Sequence, residues 1–176
     1  MFLKADHLNL WFNSFSQDDE PELTQVLHDV SFEVKSGETT ALVGESGSGK
    51  SVTAFSILRL LEESSSVTST GAIYFKDRDL YTLTLDEMRL IRGNKIAMIF
   101  QEPMTSLNPV YTIGSQMMEP LVFHQKMNKK MAQKEAIQLL HRTGIDDPEN
   151  RFHAFPHQLS GGQRQRVIIA MALAWR

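Results

Sequence analysis

Cysteine is absent from the 176 residues, which removes disulfides, thiol nucleophiles and cysteine-ligated zinc from consideration. Long apolar runs are absent too, since no stretch approaches the roughly 18 residues that a membrane-crossing helix needs. Neither sign of charge dominates. With 18 basic against 21 acidic residues and a formal net charge of -3, bulk attraction to nucleic acid is excluded as a basis for function. The opening residues, Met1-Phe2-Leu3-Lys4-Ala5-Asp6-His7, lack a basic start feeding an apolar run and do not read as a secretory signal. What is present is ordinary for a globular chain, 41% hydrophobic and 22% charged, and long enough for a real core. The expected location is cytoplasmic. Any work at a membrane would need a partner to hold the chain there.

Alternation of Leu8, Leu10 and Phe12 against His7, Asn9 and Trp11 predicts a strand over residues 2–12. Residues 14–22 are polar and acidic, contain Pro21, and predict a loop. A second strand is expected over 26–34, closed by a turn at Ser36-Gly37-Glu38. The short apolar runs 39–43 and 96–100 predict two further strands, the first suited to burial on both faces. Val52, Phe55, Leu58 and Leu61 form one stripe of a helix over 50–61, broken by Ser64-Ser65-Ser66. Residues 72–75 predict a strand, and Thr84-Leu85-Asp86-Glu87 fits a capping box opening a short helix that stops at Gly93. Helices are expected over 113–123 and 128–143, the second ended by Gly144 and followed by a turn at Asp146-Asp147-Pro148. Ser160 is a good N-cap for a final helix. The order is an α/β front portion followed by a helical insert after Gln101.

Two glycine-bearing motifs carry chemistry. Gly44-Glu45-Ser46-Gly47-Ser48-Gly49-Lys50-Ser51 matches the P-loop pattern, and it lies where an apolar strand should give way to an amphipathic helix. Its glycines let backbone N–H groups converge on phosphate oxygens, and the following helix turns its positive end to the same anion. Lys50 is expected to reach the β- and γ-phosphates, and the Ser51 hydroxyl to ligate Mg²⁺. The second motif is Leu159-Ser160-Gly161-Gly162-Gln163. It puts exposed N–H groups at another helix start, which alone fits a serine-capped helix as well as a second phosphate site.

Taken together, in this order, the two motifs resemble the ATP-binding cassette family, in which the pentapeptide is the signature that covers the γ-phosphate held by a partner's P-loop. The resemblance implies an α/β P-loop NTPase fold, a RecA-like core with an antiparallel β subdomain and a helical subdomain. It divides the chain into residues 1–100 (core with β subdomain and P-loop), 101–158 (Q-loop and helical subdomain) and 159–176 (signature and following helix). The implied cofactors are ATP and Mg²⁺. Nucleotide contacts fall on Gly44, Glu45, Ser46, Gly47, Ser48, Gly49, Lys50, Ser51 and Val52. Ser160, Gly161, Gly162 and Gln163 act in trans. Gln101, at the end of an apolar run, is the water- and Mg²⁺-positioning amide, so Ser51 and Gln101 are the expected metal ligands. An aromatic near the N-terminus stacks on adenine in this family. Phe12 holds the matching place, with Trp11 as the alternative.

The run Phe100-Gln101-Glu102-Pro103-Met104-Thr105-Ser106-Leu107-Asn108-Pro109, with Phe155-Pro156-His157-Gln158, is similar to the peptide and nickel importer cassettes. That resemblance implies a subunit coupling ATP hydrolysis to peptide import, peripheral on the cytoplasmic face of the inner membrane. Its implied partners are a second cassette, permease subunits and, indirectly, a solute-binding protein, with no nucleic acid. Two alternatives stand beside it: a nucleotide-binding fragment without turnover, and a repair or translation-factor ATPase of the same superfamily. The family's Walker B acid pair and switch histidine have no counterpart before Arg176. Lys76-Asp77 and Gln101-Glu102 follow apolar runs but lack the acid pair. The expectation is therefore a cassette lacking the C-terminal part of its core, unstable alone and unable to turn over ATP. His153 and His157, separated by Pro156, are expected to be structural, and Lys126, Lys129, Lys130 and Lys134 a solvated helix face.

Overall fold

Antiparallel pairing of the first two apolar runs organises the front of the molecule. In the computed structural model, which describes residues 2–15, 21–62, 66–100 and 106–174, strand β1 (Leu3–Phe15) pairs with β2 (Pro21–Val34). On its other edge β1 pairs with β3 (Val67–Phe75), which turns back into the two-residue β4 (Arg78–Asp79). The four-stranded sheet runs β2-β1-β3-β4. Both strands enter the segment 14–22 expected to be loop, because ladder bonds join backbone groups whatever the side chains, and one face of an antiparallel sheet can stay in water. The β3–β4 turn places Lys76 and Asp77 at φ 48 and 65, the left-handed pair of a two-residue hairpin. Asp77 is thus an exposed turn residue.

The sheet is creased. Asp6 and His7 together face Ser31 across the β1–β2 ladder, and His7, Asp29 and Gly71 all have positive φ, at 50, 50 and 99. This bulge shifts the alternation by one, so that Ala5 and Leu8 are both fully buried. Gly71 is required there, because a Cβ would lie 2.4 Å from the His7 carbonyl oxygen. The pairing is held from the side by Asn9, which donates to the His7 carbonyl at 2.9 Å and accepts from the Asp29 amide at 2.9 Å. Leu8, Leu10, Leu27, Ile73 and Leu80 fill the core beneath.

Helix α1 (Lys50–Ile57) is shorter than the stripe predicts. It ends in a Schellman motif, with Arg59 N–H bonded to Ser56 O and Leu60 N–H to Phe55 O. Arg59 takes the left-handed position usually given to glycine, at φ 52. Its guanidinium explains why: it donates to Leu80 O at 2.9 Å, to Leu83 O at 2.6 Å and to Glu62 at 2.6 Å. Helix α2 (Leu85–Ile91) opens on the predicted capping box, with Thr84 N–H to Glu87 Oε2 at 2.9 Å and Glu87 N–H to Thr84 Oγ1 at 3.3 Å.

The chain divides into two compact units, Met1–Met88 and Arg89–Arg176. The second is helical. Helix α3 (Ile113–Phe123) is capped by Thr112, and α4 (Lys129–Arg142) by Asn128. Gly144, at φ 79, closes α4 as expected. The turn at Asp146-Asp147-Pro148 leads directly into a short helix, α5 (Pro148–His153), because Pro148 at the first helical position loses no intrahelical bond. A 3₁₀ turn over Pro156–Gln158 precedes α6 (Gly161–Leu173). Ile113, Met117, Leu121, Ala136, Leu140 and Val167 make this unit's core.

Two predicted strands do not form. Residues 39–43 join no ladder among the described residues, with Leu42 50% and Val43 85% exposed. Residues 96–100 join none either, apart from a single bridge between Arg92 and Ile96. A short apolar run becomes a strand only when neighbours accept its backbone groups. The burial on both faces expected for 39–43 is therefore overturned.

Candidate functional site

The loop from Gly44 to Ser51 belongs to the first unit and leads straight into α1. Gly47 and Gly49 have φ of 82 and 85, conformations that favour glycine. Gly49 is also enclosed, since a Cβ would come 2.7 Å from Leu27 Cδ2 and 3.2 Å from Val26 O of β2. Glycine here lets the loop's exit press against the sheet. The N-cap of α1 is Gly49, which has no side chain to cap it, so among the described residues the first N–H groups of the helix remain available to an outside acceptor. Glu45, Ser46, Gly47, Ser48 and Ser51 are exposed, and Val52 is half-buried behind them.

Lys50 lies folded over this loop. Its Nζ donates to Gly44 O at 2.9 Å, to Glu45 O at 2.6 Å and to Ser48 Oγ at 3.2 Å. All three acceptors belong to the loop, two backbone carbonyls and one serine hydroxyl, so the ammonium is held by the loop itself. An ammonium and free helix-start N–H groups around glycine form a donor set for phosphate oxygens.

The second motif lies in the helical unit. Leu159 is buried at 3% exposure and plugs the core, while Ser160 caps α6 at φ -66, ψ 163. The cap is reciprocal: Gln163 N–H donates to Ser160 Oγ at 3.3 Å, and Ser160 N–H donates to Gln163 Oε1 at 3.0 Å. The pentapeptide is thus also a capping box, with its serine and glutamine satisfying each other. Gly161 and Gly162 differ from Gly49. Neither has positive φ, and a Cβ on either would meet nothing within 4 Å. The fold gives no internal reason for glycine there, so the bare backbone faces outward to whatever approaches.

Phe12 pairs with Thr24 and Val67 in the sheet, and both it and Trp11 are half-buried. Gln101 lies outside the described residues, as does Glu102. His153 ends α5, while His157 stacks on Phe155 with ring centroids 5.7 Å apart. What sequence reading missed is the bracing of the second motif. Arg164 Nε donates to Pro156 O at 2.9 Å and Leu159 O at 3.0 Å, and no periodic or motif signal marks that residue.

A family model described as ABC transporter matches residues 27–176. The chain belongs to the ABC transporter family. Among its relatives are the dipeptide transport ATP-binding protein DppD of Bacillus subtilis, 54% identical over 149 residues, covering 85% of this chain and 44% of that protein. The probable peptide ABC transporter ATP-binding protein y4tR of Sinorhizobium fredii is 51% identical over 155 residues, covering 88% and 46%. This ABC chain thus spans about half the length of the curated relatives it matches. Among solved structures, the dimeric post-hydrolysis state of the ATP-binding cassette MJ0796 bound to ADP and Pi superposes with a TM-score of 0.80 at 30% identity. That match covers 98% of this chain and 69% of the MJ0796 chain. The cassette P-loop NTPase fold is therefore shown, with its antiparallel sheet and helical unit. Among the described residues no helix is long and apolar enough to cross a membrane.

Proposed function

We propose that this chain is the ATP-binding part of an importer of peptides or similar small solutes. The observation that carries the nucleotide assignment is the Lys50 ammonium enclosed by its own glycine loop. Binding exchanges two loop carbonyls and the Ser48 hydroxyl, all neutral acceptors, for the anionic oxygens of a triphosphate, and hydrogen bonds to ionised partners are roughly twice as strong as neutral ones. Gly47 and Gly49 let the N–H groups turn inward, and α1 adds its positive end. Ser51 and Gln101 are the residues that would hold Mg²⁺, which when bound screens the β- and γ-phosphate charge. Phe12, or Trp11, supplies an aromatic face for adenine.

Ser160, Gly161 and Gly162 are assigned to the terminal phosphate of a nucleotide held by a second cassette. Two facts support this: glycines that the fold itself does not need, and a serine whose Oγ already accepts a bond, leaving its hydroxyl proton to donate. The names of DppD and y4tR support peptides as the solute class. The permease contact is assigned to the helical unit, where Tyr111, Met118, Val122 and Phe123 supply the apolar side of a groove that Glu119 and Lys129 also line. Peripheral attachment at the cytoplasmic face of the membrane follows from that contact.

The chain as given is proposed to bind nucleotide without turning it over, since among the described residues no acid pair follows a buried strand. Mg-ATP should raise the melting temperature of the wild type, and Lys50→Ala should abolish the shift. An equal shift in both would overturn the phosphate assignment. Turnover by the purified chain, lost in Glu102→Gln, would overturn the second statement.

A further inference from the structure

The turn that opens α6 is braced by a residue outside the five-residue motif. Arg164 is half-buried in the first turn of α6, four residues after the cap Ser160. A cation at this end of a helix is opposed by the positive helix terminus, so its presence calls for a local reason. Its Nε donates to Pro156 O at 2.9 Å and to Leu159 O at 3.0 Å. Pro156 opens the 3₁₀ turn that delivers the chain to the motif.

The Leu159 carbonyl and the Ser160 N–H belong to one planar peptide group. Arg164 grips that plane by its oxygen, while Gln163 Oε1 accepts from its nitrogen at 3.0 Å. A peptide held at both ends cannot rotate without breaking one of these bonds. Its orientation sets where the Ser160 hydroxyl and the Gly161 and Gly162 N–H groups point.

We infer that Arg164 is the positioning residue of the Ser160-Gly161-Gly162 turn, holding it in the phosphate-covering orientation before any nucleotide arrives. The inference rests on the reading of this turn given under Proposed function. Arg166 is the natural control, since its Nη1 donates to Gly144 O at 2.6 Å, beyond the turn.

The test uses the 176-residue chain in three variants: Arg164→Met, which keeps the apolar stem without donors, Arg164→Lys, and Arg166→Met. Amide NMR shifts and hydrogen exchange at Ser160, Gly161 and Gly162 report on the turn. Sedimentation at one low concentration, with and without Mg-ATPγS, reports on nucleotide-driven association as the difference between the two. Arg164→Met is expected to move the three amides and speed their exchange while leaving Val167 and Ala170 unchanged. It should weaken association about tenfold or more, within the roughly hundredfold that a 1 Å misplacement can cost a reacting geometry. Arg164→Lys should restore part of both, and Arg166→Met should change neither. Unmoved turn amides in Arg164→Met overturn the inference. Moved amides with wild-type association overturn its functional half. Failure of the wild type to associate with Mg-ATPγS instead overturns the reading beneath it, and the amide comparison still decides the brace. Arg164→Gln carries the same comparison if Arg164→Met does not fold.

Discussion

Glycine serves three different ends in this chain, and the difference is read one residue at a time. Gly71 is required by a carbonyl 2.4 Å from its absent Cβ, and Gly49 by both a positive φ and the neighbouring Leu27. Gly161 and Gly162 answer to neither demand. Alanine is the better helix former by up to about 1 kcal/mol in an interior position, and less at a terminus. Gly161→Ala and Gly162→Ala should therefore leave the melting temperature unchanged or slightly raised. The same changes place a methyl group where the second cassette's phosphate is proposed to sit, so Mg-ATPγS-driven association should be lost. Calorimetry and sedimentation on the same samples check the pair of outcomes. A fall in both together would mean that the glycines are structural after all.

At the scale of elements, the crease across β1, β2 and β3 gathers an ion pair as well as a bend. His7 Nδ1 lies 2.6 Å from Asp29 Oδ1, with both side chains largely exposed. The Asp29 carboxylate, by hydrogen bond and by charge, holds the His7 imidazole above its ordinary value, Asp6 adding to the effect and Lys4 opposing it. Because the folded value is raised, the pair's contribution is complete below the ordinary imidazole range and fades as pH rises through the raised one. Asp29→Asn should therefore cost melting temperature near about pH 5.5 and almost nothing near about pH 8.5, and added salt should shrink the gap. A gap that widened with pH would reverse the assigned sign. The capping box of α2 behaves oppositely: bonds from the Thr84 backbone and hydroxyl, then from Arg78, hold the Glu87 carboxyl below the usual range. Its contribution is present at neutral pH and is lost only as pH falls through that lowered value.

For the whole molecule, the apolar runs 39–43 and 96–100 decide how the isolated chain should behave. Leu42, Val43 and Ile99 are at least 42% exposed, and extended apolar backbone without a ladder is a template for intermolecular pairing. The purified 176-residue chain is predicted to bind a hydrophobic dye and to self-associate with rising concentration. Val43→Lys should reduce both while leaving the melting temperature within about 2 °C, because a residue that exposed contributes little packing. Light scattering across a concentration series, with and without the substitution, reads the result. A wild type that stays monomeric at high concentration would refute the prediction.

The sequence by itself determined what local chemistry can determine. The capping pair Thr84–Glu87, the Ser160 cap of α6, the glycine closing α4, and the P-loop pattern with its following helix were all legible, because each is written within a few adjacent residues. The return bond between Gln163 and Ser160 was not read from the sequence. The family was legible for the same reason, from two short motifs in order. Only the tertiary structure decided what depends on distant partners. The Arg59 clamp ends α1 without glycine, the shifted alternation buries both Ala5 and Leu8, and Arg164 locks the turn before α6. Among the described residues, 39–43 join no ladder although their composition says strand. A strand is a bargain between segments, and a single segment's composition holds only half of its terms.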